Sequence, residues 1–120
     1  LPMPSTLISS HSLNNMIHIL EYSPNEGERD VPITVRLHFS HSSSENVYLR
    51  IVVGSTPMPT KVRELSDVVY GRWLLYATAP ASTLEKVLLS VEALNKHSQV
   101  IDKATFGEFS YWISHSPSNC

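Results

Sequence analysis

Chemistry in this chain would have to come from its histidine, cysteine, serine and acidic residues, and their spacing decides whether it can. The six histidines sit at positions 11, 18, 38, 41, 97 and 115. A structural zinc site needs two ligand pairs at short, fixed separations. The nearest pair is His38 and His41, and no second pair accompanies it. His38 lies in an alternating stretch that turns it outward, and His41 opens a serine-rich loop, so surface histidines are the expectation, with no metal. Serines abound, yet none stands in the sharp Gly-x-Ser-x-Gly turn that lifts a nucleophile clear of its sheet. Cys120 is the one cysteine, and at the chain end no base is held beside it. Glu26, Glu28 and Asp30 crowd one turn, where a shared proton or a calcium ion is conceivable but a solvated acidic turn is the simpler reading. The expectation is therefore no catalytic residue and no cofactor.

Arg50, Lys61, Arg63 and Arg72 are the candidate phosphate contacts. They are spread over a loop and two strands, and a solvated face is the default for such a group. The formal net charge of −2 and a pI of about 6.3 argue against a domain that holds nucleic acid by itself, because that affinity comes from massed Lys and Arg.

The elements that would position these residues read as strands. The 120 residues, 42% hydrophobic and 17% charged, suit one globular domain. Residues 1–15 and 114–120 are rich in Ser, Asn and Pro and read as a flexible arm and a flexible tail around a domain at 16–113. The start at Leu1, without an initiator Met or a signal peptide, reads as a domain within a longer protein. A single cysteine suits an intracellular compartment, and no apolar run is long enough for a membrane helix. The clearest strand is 31–40, where Ile33, Val35, Leu37 and Phe39 alternate with Thr34, Arg36, His38 and Ser40. Further strands are read at 17–22, 47–53, 72–78, 86–93 and 104–113. Pro57 and Pro59 push any strand near them to a sheet edge. Ser23–Gly27 and Asn95–Ser98 read as turns. Residues 62–70 read as a loop or one helical turn.

Alternation also forces apolar groups outward. Trp73, Leu75 and Ala77 face in with Leu74 and Tyr76 out, or the reverse, and either choice leaves large apolar groups in solvent. Alternation in the last two strands likewise puts Leu88, Phe106 and Trp112 on the solvent side with Phe109 and Tyr111 inward. Several such residues on one sheet mark an interface.

The order of these segments resembles the IPT/TIG domains, immunoglobulin-like modules of transcription factors. The resemblance rests on Ile19-x-x-Tyr-Ser-Pro-x-x-Gly27, Val31-x-Ile-x-Val-x-Leu37, Ile51-Val-Val-Gly54, Thr78-Ala-Pro80, Val87-x-Leu-Ser-Val91 and Phe109-x-Tyr111, and it spans residues 17–112. More loosely, the chain is similar to the corresponding domain of fungal developmental regulators of the Medusa type. Glu28-Arg-Asp30 replaces a glycine-pair turn common in the family, Val53 and Ser55 stand where glycines are usual, and the arginine-rich loop by which Rel proteins read DNA is absent.

The resemblance implies an all-β immunoglobulin-like β-sandwich of about seven strands, with strands 17–22, 31–40 and 72–78 in one sheet. The outer face of that sheet would carry Arg36, His38, Leu74 and Tyr76 as a protein interface. The expected function is non-catalytic dimerisation or docking within a larger intracellular, nuclear or cytoplasmic transcriptional regulator. Its partner would be another protein or a second copy, with DNA reached through neighbouring regions and no membrane involved. Two alternatives stand beside it: DNA contact through loops 23–30 and 54–64, and an extracellular adhesion or carbohydrate-binding sandwich.

Overall fold

Ile33, Val35, Leu37 and Phe39 all turn into the interior while Arg36 between them faces solvent, and this two-residue period makes the central strand of one sheet. A computed structural model of the chain describes residues 11–40, 47–65 and 71–112. The ten strands among the described residues are β1 (His11–Ser12), β2 (Ile17–Ser23), β3 (Glu26–Gly27), β4 (Pro32–Phe39), β5 (Tyr48–Val53), β6 (Thr56–Pro57), β7 (Lys61–Glu64), β8 (Arg72–Thr78), β9 (Lys86–Leu94) and β10 (Val100–Tyr111). They form two sheets packed face to face. One runs β1-β10-β9-β5-β6, with β3 also paired to β10, and the other runs β2-β4-β8-β7. The architecture is all-β and sandwich-like, and among the described residues there is no helix, so none long and apolar enough to cross a membrane.

The core is the interdigitated contact of the two inner faces. Ile17, Ile33, Val35, Leu37 and Leu75 come from the four-stranded sheet. Ile51, Leu89, Val91, Ala104 and Phe109 meet them from the other. Apolar area removed from water in this way, at about 25 cal/mol per Å², is the main favourable contribution to the fold.

Three register irregularities shape the sandwich. The β2–β4 pairing shifts between Ile19 and Glu21, and the β9–β10 pairing shifts between Val100 and Asp102 and again between Thr105 and Gly107. Each inserted residue reverses which side chains face inward from there on. Phe106, expected on the solvent side, is consequently buried at 4% exposure, because the shift beside it lets Phe106 and Phe109 share the interior despite opposite parity. Tyr22 packs its ring edge-on to Phe106 at 4.9 Å, over Gly107, which has no side chain to obstruct it.

Residues 11–14, read from sequence as part of an arm, are tied to β10. His11 and Ser12 pair with Thr105 and Ala104, and the Leu13 N–H donates to the Lys103 carbonyl at 3.1 Å. The segment at 62–70 begins as strand rather than loop or helix, since Val62 to Glu64 belong to β7. Thr56–Pro57 forms the edge strand that the prolines required. Asn95 closes the β9–β10 hairpin, its side-chain oxygen accepting from the N–H of His97 at 2.8 Å and of Gln99 at 3.0 Å. The flexible segments read at 1–10 and 114–120, the loop at 41–46 and the rest of the ambiguous segment, 66–70, lie outside the described residues, as do His41, His115 and Cys120.

Candidate interaction surface

Two groups of residues that the sequence kept apart meet on the outer face of the β2-β4-β8-β7 sheet. Directly paired residues of antiparallel strands share a face, so the register fixes the layout in rows. One row runs Lys61, Tyr76, Thr34, Ser23. The next runs Arg63, Leu74, Arg36, Glu21. The third runs Arg72, His38, His18. Arg36, His38, Leu74 and Tyr76 all lie on this face, and Lys61, Arg63 and Arg72 surround Leu74 and Tyr76. With strands about 4.8 Å apart and same-face neighbours about 7 Å apart along a strand, these groups form one continuous patch.

Its centre is apolar and half-open: Leu74 is partly buried, and Tyr76 keeps 36% of its surface in solvent. Its rim is cationic. Arg36 pairs with Glu21 at 3.3 Å, with both side chains exposed, an ion pair that water screens and that contributes little to stability. Lys61, Arg63 and Arg72 have no carboxylate within ion-pair distance among the described residues. Four fixed cations thus share a face with one carboxylate, on a chain whose net charge is −2. His18 and His38 stand opposite each other with ring centroids 6.2 Å apart.

Arg50 does not join this patch. It lies on β5 in the other sheet, where its Nε donates to Glu92 Oε1 at 2.8 Å and a second guanidinium nitrogen reaches the same oxygen at 2.7 Å. Lys103 approaches the other oxygen of Glu92 at 3.9 Å. The structure therefore places Arg50 apart from Lys61, Arg63 and Arg72, with its guanidinium paired to Glu92. The loop at 23–30 is acidic on balance, with Arg29 its one cation against three carboxylates. Glu26, Glu28 and Asp30 are all exposed there, and Arg29 is turned to Asp30 at 3.5 Å. This loop and exposed Trp112 line an open cleft of acidic character.

The outward positions on the opposite sheet are as expected for Leu88 and Trp112, which are 53% and 57% exposed. They do not combine with Phe106, which is inside. Among the described residues no group of three or more His, Cys, Asp or Glu is placed to hold a metal ion.

One polar residue of structural weight carries no sequence signal beyond its place in a strand. Asp102 is fully buried on β10. Its Oδ1 accepts from the backbone N–H of Asn14 at 2.8 Å and of Lys103 at 2.9 Å, and its Oδ2 from Met16 at 3.0 Å and Ile17 at 2.9 Å. Four donors converge on one carboxylate and lock the start of β2 onto the opposite sheet. Two tyrosines are also perturbed. Burial raises the Tyr22 hydroxyl above its usual value; its hydrogen bond to the Glu108 carbonyl opposes the rise, and the nearby Glu108 charge adds to it. Burial alone raises Tyr111, whose hydroxyl donates to the Pro80 carbonyl.

Compared with protein-family models, with curated proteins and with solved structures, the chain has no significant match.

Proposed function

We propose that this domain is a non-catalytic protein-interaction module whose contact surface is the outer face of the β2-β4-β8-β7 sheet. One observation carries the reading: Leu74 and Tyr76 lie together at the centre of a solvent-facing patch rimmed by Arg36, Lys61, Arg63, Arg72 and His38. An apolar and aromatic centre with a polar, arginine-rich rim is the usual composition of a contact surface.

The strand order supports an immunoglobulin-like identity for the sandwich. The sequence β2-β4-β8-β7 against β10-β9-β5-β6 corresponds to the A-B-E-D and G-F-C-C′ sheets of that fold. The IPT/TIG resemblance assigns such a module to a larger transcriptional regulator working in the nucleus, with DNA contacted by other regions. A face-to-face homodimer on this patch would set like charges opposite one another, because a two-fold axis presents the same surface from both sides. The charge therefore favours a different, acidic partner over a second copy. DNA contact through loops 23–30 and 54–64 is the second reading. It draws support from Lys61 and Arg63 and is opposed by the three carboxylates of the first loop.

A photo-activatable cross-linking residue placed at position 76, with a matched probe at position 88 on the opposite sheet, tests the assignment in the intact protein in its own cells. Protein cross-links from 76 and few from 88 are expected; cross-links from 88 alone, or from neither, overturn it. Sedimentation at high concentration separates the partner types. Self-association that Tyr76→Glu abolishes would restore the homodimer, and a monomer unchanged by that substitution removes it.

A further inference from the structure

We propose that the β7 edge is a docking strand for an acidic, extended segment of a partner protein. The segment adds to the sheet as a fifth strand and sets its carboxylates against Lys61, Arg63 and Arg72. This rests on reading the outer face as the contact surface and names what occupies it.

The backbone supplies the first argument. β7 ends its sheet, and among the described residues β8 is its one strand partner. The Leu65 N–H donates to the carbonyl of Arg72, the residue opposite it when the β7–β8 register is continued, at 2.7 Å. Hydrogen-bonding direction alternates along an antiparallel strand. The N–H and C=O of Arg63 and Lys61 therefore also point to β8, and those of Val62 and Glu64 point to the open edge. A second peptide backbone satisfies such a row of donors and acceptors as a ladder, which a phosphodiester chain cannot do.

Side chains supply the second argument, and it fixes the composition of the guest. Lys61 and Arg63 project to the outer face from β7, with Arg72 diagonal to Arg63 on β8. Guest residues opposite Lys61 and Arg63 sit at non-hydrogen-bonded positions, where side chains approach most closely. Carboxylates there meet guanidinium and ammonium groups with no ion-pair partner among the described residues. The alternate guest residues face Val62, which is 41% exposed, and apolar side chains suit it. The guest is thus acidic and apolar in alternation. A long polyanion fits less well, because three available cations neutralise few phosphates.

The test is fluorescence anisotropy with the 120-residue chain and three labelled probes at low and moderate salt. They are the octapeptide (Glu-Val)4, the equally charged (Glu-Pro)4, and a twelve-base-pair DNA duplex. Proline at the hydrogen-bonded guest positions removes the N–H groups the ladder needs. The expected result is binding of (Glu-Val)4, weakened at least tenfold in (Glu-Pro)4 and at least tenfold by the K61E/R63E double substitution. K61A/R63A serves as a milder variant should the charge reversal disturb folding. Equal binding of the proline peptide overturns strand addition, tighter binding of the duplex overturns the choice of a peptide, and no binding of (Glu-Val)4 at low salt overturns both. None of these results alters the cross-linking from position 76, so this inference can fail while the surface reading stands.

Discussion

Replacing Asp102 with asparagine keeps the size and shape of the side chain and reverses the hydrogen-bonding sense of one atom. The four backbone donors divide into two pairs, Asn14 with Lys103 on one oxygen and Met16 with Ile17 on the other. Whichever way the amide turns, its NH2 group faces one pair of N–H donors and both of those bonds are lost. A hydrogen bond to a charged group contributes about 1.5–3 kcal/mol net. Lost bonds at one site add incompletely, and the Asn14, Met16 and Lys103 donors are only partly buried, so water recovers some of the loss. The expected destabilisation of Asp102→Asn is therefore about 3 kcal/mol. That is a large share of the 5–15 kcal/mol typical of a domain, and it corresponds to a fall in melting temperature of about 12 °C. Urea unfolding followed by circular dichroism measures it, with the midpoint falling and the slope unchanged. Amide exchange at Met16 and Ile17 locates it, since these protons should exchange faster at denaturant concentrations too low to unfold the core. A loss below about 1 kcal/mol, or unchanged protection at Ile17, would refute the idea that this carboxylate fastens β2 to the facing sheet.

Gly107→Ala should destabilise by about 1–3 kcal/mol, because the new Cβ would lie 2.8 Å from Tyr22 Cζ and displace the ring from Phe106. A Y22A/G107A pair measured by urea unfolding should lose less than the sum of its single substitutions. Phe106→Ala should cost about 3–5 kcal/mol as a core cavity, and Leu88→Ala should stay within about 0.5 kcal/mol of wild type; the same assay reversing that order would contradict the register assigned to β10. Tyr22 and Tyr111, raised above 10.0 in the folded state, hold their protons more tightly folded than unfolded. Their contribution is complete below about pH 10 and is lost as the pH rises through the folded values. Absorbance titration at 295 nm should show Tyr22→Phe and Tyr111→Phe each removing one late-titrating group, and unfolding midpoints should fall above pH 10.

The sequence by itself determined the strands whose chemistry is local. Ile33, Val35, Leu37 and Phe39 alternate without interruption, and a period of two places them on one face whatever their neighbours are. Val87 to Ala93 was legible for the same reason, as were the outward positions of Arg36 and His38. Alternation alone left open whether Trp73, Leu75 and Ala77 or Leu74 and Tyr76 face in, and the pairing of β8 with β4 decided it. Asn95 and the prolines at 57 and 59 announced a turn and an edge through backbone geometry that each residue carries with it.

What depends on a partner strand was decided by the tertiary structure alone. The inserted residue near Phe106 exists only relative to β9, so parity counted along β10 misplaced that ring. β7 has no apolar period, its four side chains being exposed, and it is a strand because β8 pairs with it. Lys61 and Arg63 joined Leu74 and Tyr76 through that pairing, while Arg50 went to the other sheet and to Glu92. Asp102 became buried because the backbone of residues 14–17 folds over it. Hydrophobic periodicity is written one residue at a time, whereas register, sheet membership and the charge of a shared face arise between segments distant along the chain.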